Sequence, residues 1–125
     1  MPLDLKSKMI AIIDDDEAMQ DSLRDLMEAA GLAARSFSSA EEFLKSDLHR
    51  KAACLILDVR MPKMSGLELQ AKLKEDGCNV PIIFITAHGD ARMRIRAMRE
   101  GAVEFLAKPF DHQLLLKRVR TALDM

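Results

Sequence analysis

The chain has 125 residues, a length that suits one compact domain and excludes two ordinary ones. Its 19 Lys and Arg nearly balance 20 Asp and Glu, and it contains no Trp or Tyr. These features argue against nucleic-acid binding through bulk charge or through an aromatic base-stacking platform. No apolar run approaches the roughly 20 residues of a membrane-spanning helix.

Although the total net charge is near zero, the charged residues are unevenly distributed along the chain. Residues 1–58 carry a net charge of −5, residues 59–89 of +1 and residues 90–125 of +3.

The two cysteines, Cys54 and Cys78, form no C-x-x-C pair and are too few to stabilise a small secreted fold by disulfide bonds. We therefore predict reduced thiols in a cytoplasmic protein.

Five short apolar runs alternate with amphipathic stretches and are predicted to be strands. They are Met9–Ile13, Leu32–Arg35, Cys54–Leu57, Ile82–Ile85 and Val103–Ala107. The first, third and fourth are almost continuously apolar, which is typical of strands buried on both faces of a parallel sheet. The second is weaker and alternates, so we place it at an edge. Residues 1–8 are predicted to be an N-terminal tail, and residues 9–125 the domain.

Between these runs the hydrophobic period becomes helical. Gly31 ends the first helix, and the fourth carries the apolar residues Ile95 and Met98. The other helices begin at residues whose side chains can cap an N-terminus: Ser39, Ser65 and Asp111. Five successive β–α units predict a doubly wound α/β fold, with a five-stranded parallel sheet and helices on both of its faces.

Polar side chains follow four of the predicted strands at their carboxyl ends. They are Asp14, Asp15, Asp58, Thr86 and Lys108. Because these ends share one edge of a doubly wound sheet, the side chains should converge in one crevice. Carboxylates suit Mg²⁺, whereas an ammonium and a hydroxyl suit phosphoryl oxygens. A carboxylate can also attack phosphorus to form an aspartyl-phosphate.

Taken singly, each of these residues could be a helix cap or an ordinary loop residue. Asp16 in particular fits the first turn of a helix, where negative charge is favourable. The whole constellation on one edge favours a phosphoryl-transfer site instead.

In combination, these motifs resemble the receiver domain of two-component response regulators, the CheY-like fold, from about Met9 to Leu123. The resemblance is carried by Ile-Ile-Asp-Asp at 12–15, Leu-Asp-Val-Arg-Met-Pro at 57–62 with Gly66 following, Ile-Thr-Ala at 85–87 and Lys-Pro-Phe at 108–110. Segments 36–43, 83–90 and 101–105 are most similar to the FixJ-type branch of transcriptional response regulators. The resemblance implies a sheet of strand order 2-1-3-4-5.

The resemblance also implies the chemistry of the phosphoacceptor and its metal. Asp58 would accept a phosphoryl group from the phosphohistidine of a sensor histidine kinase. Asp14, Asp15, Asp58 and the backbone carbonyl of Arg60 would hold Mg²⁺ as the cofactor.

Further residues match positions that bind the phosphoryl group or respond to it. Thr86 and Lys108 would bind phosphoryl oxygens, and the Lys108–Pro109 peptide bond would be cis. Phe105 occupies a switch position where Tyr is common, so switching would act through rotamer packing and not through a phenolic hydrogen bond.

Six basic residues of the last two helices predict a partner surface. They are Arg92, Arg94, Arg96, Arg99, Lys117 and Arg118. Such residues can form a merely solvated face with i,i+4 pairs. In the family, phosphorylation remodels the face of helix 4, strand 5 and helix 5 to drive homodimerisation or release of an output domain. DNA would be contacted only through an output domain outside this sequence.

Three alternatives stay open at this point. A Mg²⁺-dependent aspartyl-phosphate hydrolase shares the chemistry but lacks its usual second acid, since Arg60 stands two residues past Asp58. A flavodoxin-like module would bind flavin at the same edge of the sheet, but the acidic residues there would repel the phosphate of the flavin. A stand-alone phosphorelay protein differs only in its output, and the FixJ-like segments favour a longer transcriptional regulator. We expect no enzyme beyond self-phosphorylation and autodephosphorylation.

Overall fold

The computed structural model describes residues 8–87 and 90–124. The predicted tail falls outside this range except for Lys8, as do two positions of the 83–90 segment. The chain forms five β–α units as predicted. The strands are β1 (Ile10–Ile13), β2 (Ala34–Phe37), β3 (Cys54–Asp58), β4 (Ile82–Thr86) and β5 (Glu104–Ala107). They form one parallel sheet of order β2-β1-β3-β4-β5, which confirms the predicted architecture.

The helices lie between the strands and after the last. They are α1 (Glu17–Ala29), α2 (Ala40–Lys45), α3 (Gly66–Glu75), α4 (Ala91–Arg99) and α5 (His112–Ala122), with a short 3₁₀ helix at Asp47–Arg50. Among the described residues, none of the helices has the length and apolar character needed to cross a lipid bilayer.

Two hydrophobic cores lie on opposite faces of the sheet. Side chains of α1 and α5 cover one face, where they pack on Ile12, Ile56 and Ile83. Side chains of α2, α3 and α4 cover the other face, which carries Leu57 and Phe84. The alternation of side chains along each strand divides the apolar runs between the two cores. The nearly continuous apolarity of β1, β3 and β4 follows from burial on both sides.

The second strand begins two residues later than predicted. The Leu32 amide donates to the carbonyl of Met27 (2.9 Å), so Leu32 still belongs to the turn that closes α1. Pairing with β1 then places Phe37 beside Ile13 at the carboxyl end of the sheet. The placement of β2 at an edge is confirmed.

The larger apolar residues that marked α4 in the sequence do not lie in the core. Ile95 and Met98 are 55% and 38% exposed, and the small Ala97 is the fully buried residue of this helix. Since α4 contacts the sheet through Ala97 and the half-buried Met93, its larger apolar side chains remain on the outer face.

The predicted capping residues hold the helix N-termini. Ser65 accepts from the Glu68 amide while the Glu68 carboxylate accepts from the Ser65 amide, which completes a capping box. At α2, Ser39 accepts from the Glu42 amide, but the Glu42 carboxylate accepts from Ser38 instead. Asp111 caps α5.

Candidate functional site

The carboxyl ends of four strands bring the predicted polar residues to one edge of the sheet. Asp14 follows β1, Asp58 ends β3 and Thr86 ends β4. Lys108 follows β5, and its amide donates to the Thr86 carbonyl (2.9 Å), which fixes the start of the β5–α5 loop beside β4. Residues far apart in sequence therefore meet because the strands are parallel and adjacent.

Three carboxylates form a cluster at this edge. Asp14, Asp15 and Asp58 each offer an oxygen, and these oxygens lie within 4.8 Å of one another. Asp14 and Asp58 are buried, whereas Asp15 is exposed. The Asp16 amide donates to Asp14 Oδ1 (2.9 Å). The Arg60 amide donates to Asp58 Oδ1 (3.3 Å).

Asp16 stands apart from this cluster. It is the N-cap residue of α1, and its carboxylate accepts from the amides of Ala18 and Met19. The helix-cap interpretation is therefore correct for Asp16.

The ammonium of Lys108 lies between the two buried carboxylates. Its Nζ is 3.1 Å from Asp14 Oδ2 and 3.6 Å from Asp58 Oδ2. Burial, and next the charge of Asp14, raise the pKa of Asp58 to about 6, against the opposing effects of Lys108 and the Arg60 amide. Among the described residues, Lys108 is the one cation in ion-pair contact with this cluster of three carboxylates, so the cluster has a deficit of positive charge.

The donor set fits Mg²⁺. Carboxylate oxygens are the ligands this hard cation prefers, and the exposed side of Asp15 leaves room for the water ligands that it retains. The backbone of Arg60 also lies beside the cluster, since its amide contacts Asp58.

Thr86 is 1% exposed at the end of β4, and the Lys108–Pro109 peptide bond is cis.

Gly66 has a steric role that its place in the motif did not reveal. A Cβ at this position would overlap with the carbonyl oxygen of Asp58 and lie 3.0 Å from its carbonyl carbon. The Gly66 amide also donates to the Val59 carbonyl (2.8 Å), which holds the start of α3 against the end of β3. The close approach positions the backbone of Asp58.

Gln20 contacts the site although the sequence assigned it no role. Its side chain is 7% exposed, and Nε2 donates to the Asp14 carbonyl (2.6 Å) and to Ser38 Oγ (3.1 Å). Its polar character on the inner face of α1, beside Leu23 and Met27, is the signal that could have drawn attention to it.

Beneath the site, an aromatic pair connects β4 and β5. The rings of Phe84 and Phe105 are 6.0 Å apart, and Phe105 is 5% exposed. Side-chain alternation places Thr86 on the same face of the sheet as Phe84. Phe105 pairs with Phe84 in the neighbouring strand. The two predicted switch residues, Thr86 and Phe105, therefore lie on the same face of the sheet and two residues apart along the strand direction.

Two of the basic residues predicted to face a partner are bound within the chain. Arg94 Nη1 donates to the Phe105 carbonyl (2.9 Å), and Arg94 Nη2 is 3.9 Å from Glu104 Oε1. Arg118 Nε donates to Glu104 Oε2 (3.0 Å). Burial opposes ionisation of Glu104, but the Phe105 amide and Arg118 outweigh it and hold the pKa of this carboxyl below its usual range.

This ion-pair group, Arg94, Glu104 and Arg118, joins α4, β5 and α5. Glu104 was not among the predicted site residues, although it is the one charged residue of the predicted strand Val103–Ala107. The other predicted surface residues make no ion pair within residues 8–87 and 90–124: they are Arg92, Arg96, Arg99 and Lys117.

Comparison with known proteins gives one consistent result. The family model of the response regulator receiver domain matches residues 10–120. The response regulator protein TodT of Pseudomonas putida is 49% identical over 121 residues, which cover 96% of this chain and 53% of TodT. The transcriptional regulatory protein FixJ of Azorhizobium caulinodans is 41% identical over 118 residues, which cover 94% of this chain and 56% of FixJ.

The fold has close counterparts among solved structures. The crystal structure of FixJ-N superposes with a TM-score of 0.83 at 37% identity and covers 94% of both chains. The chain spans about half the length of the curated relatives named above.

Proposed function

This chain belongs to the response regulator receiver domain family, and we propose that Asp58 accepts a phosphoryl group from the phosphohistidine of a partner histidine kinase. The observation that carries the proposal is the buried carboxylate of Asp58 at the end of β3. It shares the single ammonium of Lys108 with Asp14 and lies within a cluster of three carboxylates. The domain proposed for this role comprises residues 9–125.

The proposed reaction is an in-line displacement at phosphorus. A carboxylate oxygen of Asp58 attacks, an O–P bond forms, and the P–N bond to the donor imidazole breaks. The donor ring carries a proton on its other nitrogen, so the leaving nitrogen keeps the electron pair of that bond and the ring departs as neutral imidazole. The Arg60 amide orients the carboxylate through Oδ1. Lys108 and Thr86 would bind the oxygens of the transferred group.

Asp14, Asp15 and Asp58 would hold Mg²⁺, together with the backbone carbonyl of Arg60. When bound, Mg²⁺ supplies the positive charge that lets an anionic phosphoryl group approach anionic carboxylates. The charge deficit around Lys108 supports this assignment. Lys108, whose Nζ lies 3.1 Å from Asp14 Oδ2, would neutralise part of the remaining negative charge.

Receiver domains of response regulators are signalling proteins, and we propose that this one acts only on its own aspartate. It would take up phosphoryl groups from a kinase or a small acyl phosphate and lose them by hydrolysis. We place it in the cytoplasm, where a histidine kinase presents its phosphohistidine. Steady turnover of an external phosphate ester would favour the hydrolase alternative.

The signal would leave through the face formed by α4, β5 and α5. Phosphorylation can shift this face only if the phosphoryl group binds one arrangement better than the other. Thr86 and Phe105 connect the site to this face through β4 and β5, and the exposed Ile95 and Met98 offer apolar area to a partner. We propose that phosphorylation drives homodimerisation through this face. The dimer would control a DNA-binding output domain, for which the greater length of the relatives leaves room.

The assignment of Asp58 is tested by incubation with Mg²⁺ and acetyl phosphate, followed by intact-mass measurement. The wild type should gain one phosphoryl group, and Asp58→Asn should gain none. Asp16→Asn is the matched control, because Asp16 is a nearby acid outside the cluster and Asn also caps helices well. Uptake by Asp58→Asn at the wild-type rate would show that another residue is the phosphoacceptor.

A further inference from the structure

We infer that Gln20 is a positioning residue of the phosphorylation site, which holds the backbone of Asp14 so that the carboxylates of Asp14 and Asp15 are ready for a divalent cation. The inference rests on the proposed function, in which these carboxylates bind Mg²⁺. It concerns a residue of α1 that lies behind the cluster and has no contact with the phosphoryl group in the proposed reaction.

Gln20 reaches two loops from the buried face of α1. Its Nε2 donates to the Asp14 carbonyl (2.6 Å), in the loop after β1, and to Ser38 Oγ (3.1 Å), in the loop after β2. A glutamine amide has two N–H donors, so both are used. Because the side chain is 7% exposed, water has little access to replace either hydrogen bond.

With Gln20 in place, three groups of Asp14 are held. The Asp14 amide donates to the Phe37 carbonyl (3.1 Å), the carbonyl accepts from Gln20, and the carboxylate accepts from the Asp16 amide (2.9 Å). Of these bonds, the one from Gln20 fixes the peptide plane between Asp14 and Asp15. That plane sets the direction in which the side chain of Asp15 extends from the backbone.

Asp15 depends on this plane more than its neighbours do. Within residues 8–87 and 90–124, its exposed carboxylate has no hydrogen bond or ion pair, whereas Asp14 and Asp58 are each held by an amide and by Lys108. Its position in the cluster is therefore determined by the backbone. Releasing the Asp14 carbonyl would let Asp15 sample other directions, and a cation would then have to order the loop on binding.

Gln20→Met tests this, because methionine has a similar length and no N–H donor. Gln70→Met is the matched control: Gln70 is also buried in a helix, and its Nε2 also donates to a backbone carbonyl, that of Ala97 (3.0 Å), but far from the cluster. Isothermal titration calorimetry gives the Mg²⁺ dissociation constant. We expect Gln20→Met to raise it about tenfold, as loss of a supporting partner typically does, and Gln70→Met to leave it unchanged.

Two further readouts separate positioning from general destabilisation. In the metal-free protein, the amides of residues 14–16 should exchange hydrogen faster in Gln20→Met than in Gln70→Met. In phosphorylation by acetyl phosphate, Gln20→Met should need about tenfold more Mg²⁺ for half-maximal rate, with the maximal rate at saturating Mg²⁺ preserved. A loss of stability alone would move neither quantity in this way.

Equal Mg²⁺ affinity in Gln20→Met and the wild type would overturn the role of Gln20, while Mg²⁺ binding and phosphorylation of the wild type would still support the proposed function. Absence of Mg²⁺ binding by the folded wild type would overturn both. If circular dichroism shows that Gln20→Met does not fold, Gln20→Asn replaces it, because its amide is one methylene too short to reach the Asp14 carbonyl.

Discussion

Asp58→Asn should stabilise the metal-free protein at neutral pH, although it removes the proposed phosphoacceptor. Burial, and next the charge of Asp14, raise the pKa of Asp58 from 3.8 to about 6. The folded chain therefore binds more protons than the unfolded chain between these values, and Asp58 contributes less stability as the pH rises through about 6. Asparagine has no charge to bury, and its oxygen can still accept from the Arg60 amide.

The magnitude follows from the same pKa values. A rise from 3.8 to about 6 corresponds to about 3 kcal/mol, at about 1.4 kcal/mol for each pKa unit. Loss of the contact between Asp58 and Lys108 (3.6 Å) reduces the gain, whereas the closer contact of Lys108 with Asp14 (3.1 Å) remains. We expect a gain in unfolding free energy of about 1–3 kcal/mol at pH 7, falling toward zero near pH 4.

Urea unfolding followed by circular dichroism in the presence of EDTA, between pH 4 and pH 7, measures this difference. Groups that titrate alike in both proteins cancel, so the difference in pH dependence reports on the charge of Asp58 and its interaction with the charge of Asp14. A variant less stable than the wild type at pH 7, or a gain that does not change with pH, would refute the reasoning. Asp16→Asn, at an exposed helix cap, should change stability little at any of these pH values.

Substitutions of Gly66, Ser65 and Glu104 test the surrounding structure. Gly66→Ala should cost about 2–3 kcal/mol in urea unfolding and slow phosphorylation, because its methyl group meets the Asp58 carbonyl. Gly77→Ala, with open space but a φ of 78°, should cost about 1 kcal/mol and leave phosphorylation unchanged; equal losses would contradict the steric argument. Ser65→Ala should lower stability by about 1 kcal/mol through loss of the capping box, and Ser65→Asp should retain most of it. Glu104→Gln should lower stability by about 1 kcal/mol at pH 7; a difference that persists when the pH falls below the pKa of Glu104 would show that its charge is not the cause.

Much of the fold and of the candidate site could be predicted from local patterns. Apolar runs of strand length alternate with helical periods, and this alternation leads to parallel strands whose carboxyl ends share one edge. The positions of Asp58, Thr86 and Lys108 after such runs then place them together without any measured distance. The resemblance to the FixJ-type branch is likewise confirmed, since FixJ and FixJ-N are among the similar proteins.

Contacts between distant segments decided the rest. The start of β2 depends on where α1 releases the chain at Leu32, and the outward direction of Ile95 depends on how closely α4 approaches the sheet. Gln20 and Glu104 have neighbours from other elements, which no local periodicity reveals.

The sequence by itself determined which groups can meet at the sheet edge, because repeated β–α connections make the strands parallel and bring their carboxyl ends to one edge. The strand order was implied only by the resemblance to the family. Only the tertiary structure decided how they are held: the Lys108 ammonium between two buried carboxylates, the Asp14 carbonyl bound by Gln20, and Gly66 against the backbone of Asp58. The physical reason is that charge balance and close packing depend on distances of a few ångströms between residues far apart in the chain.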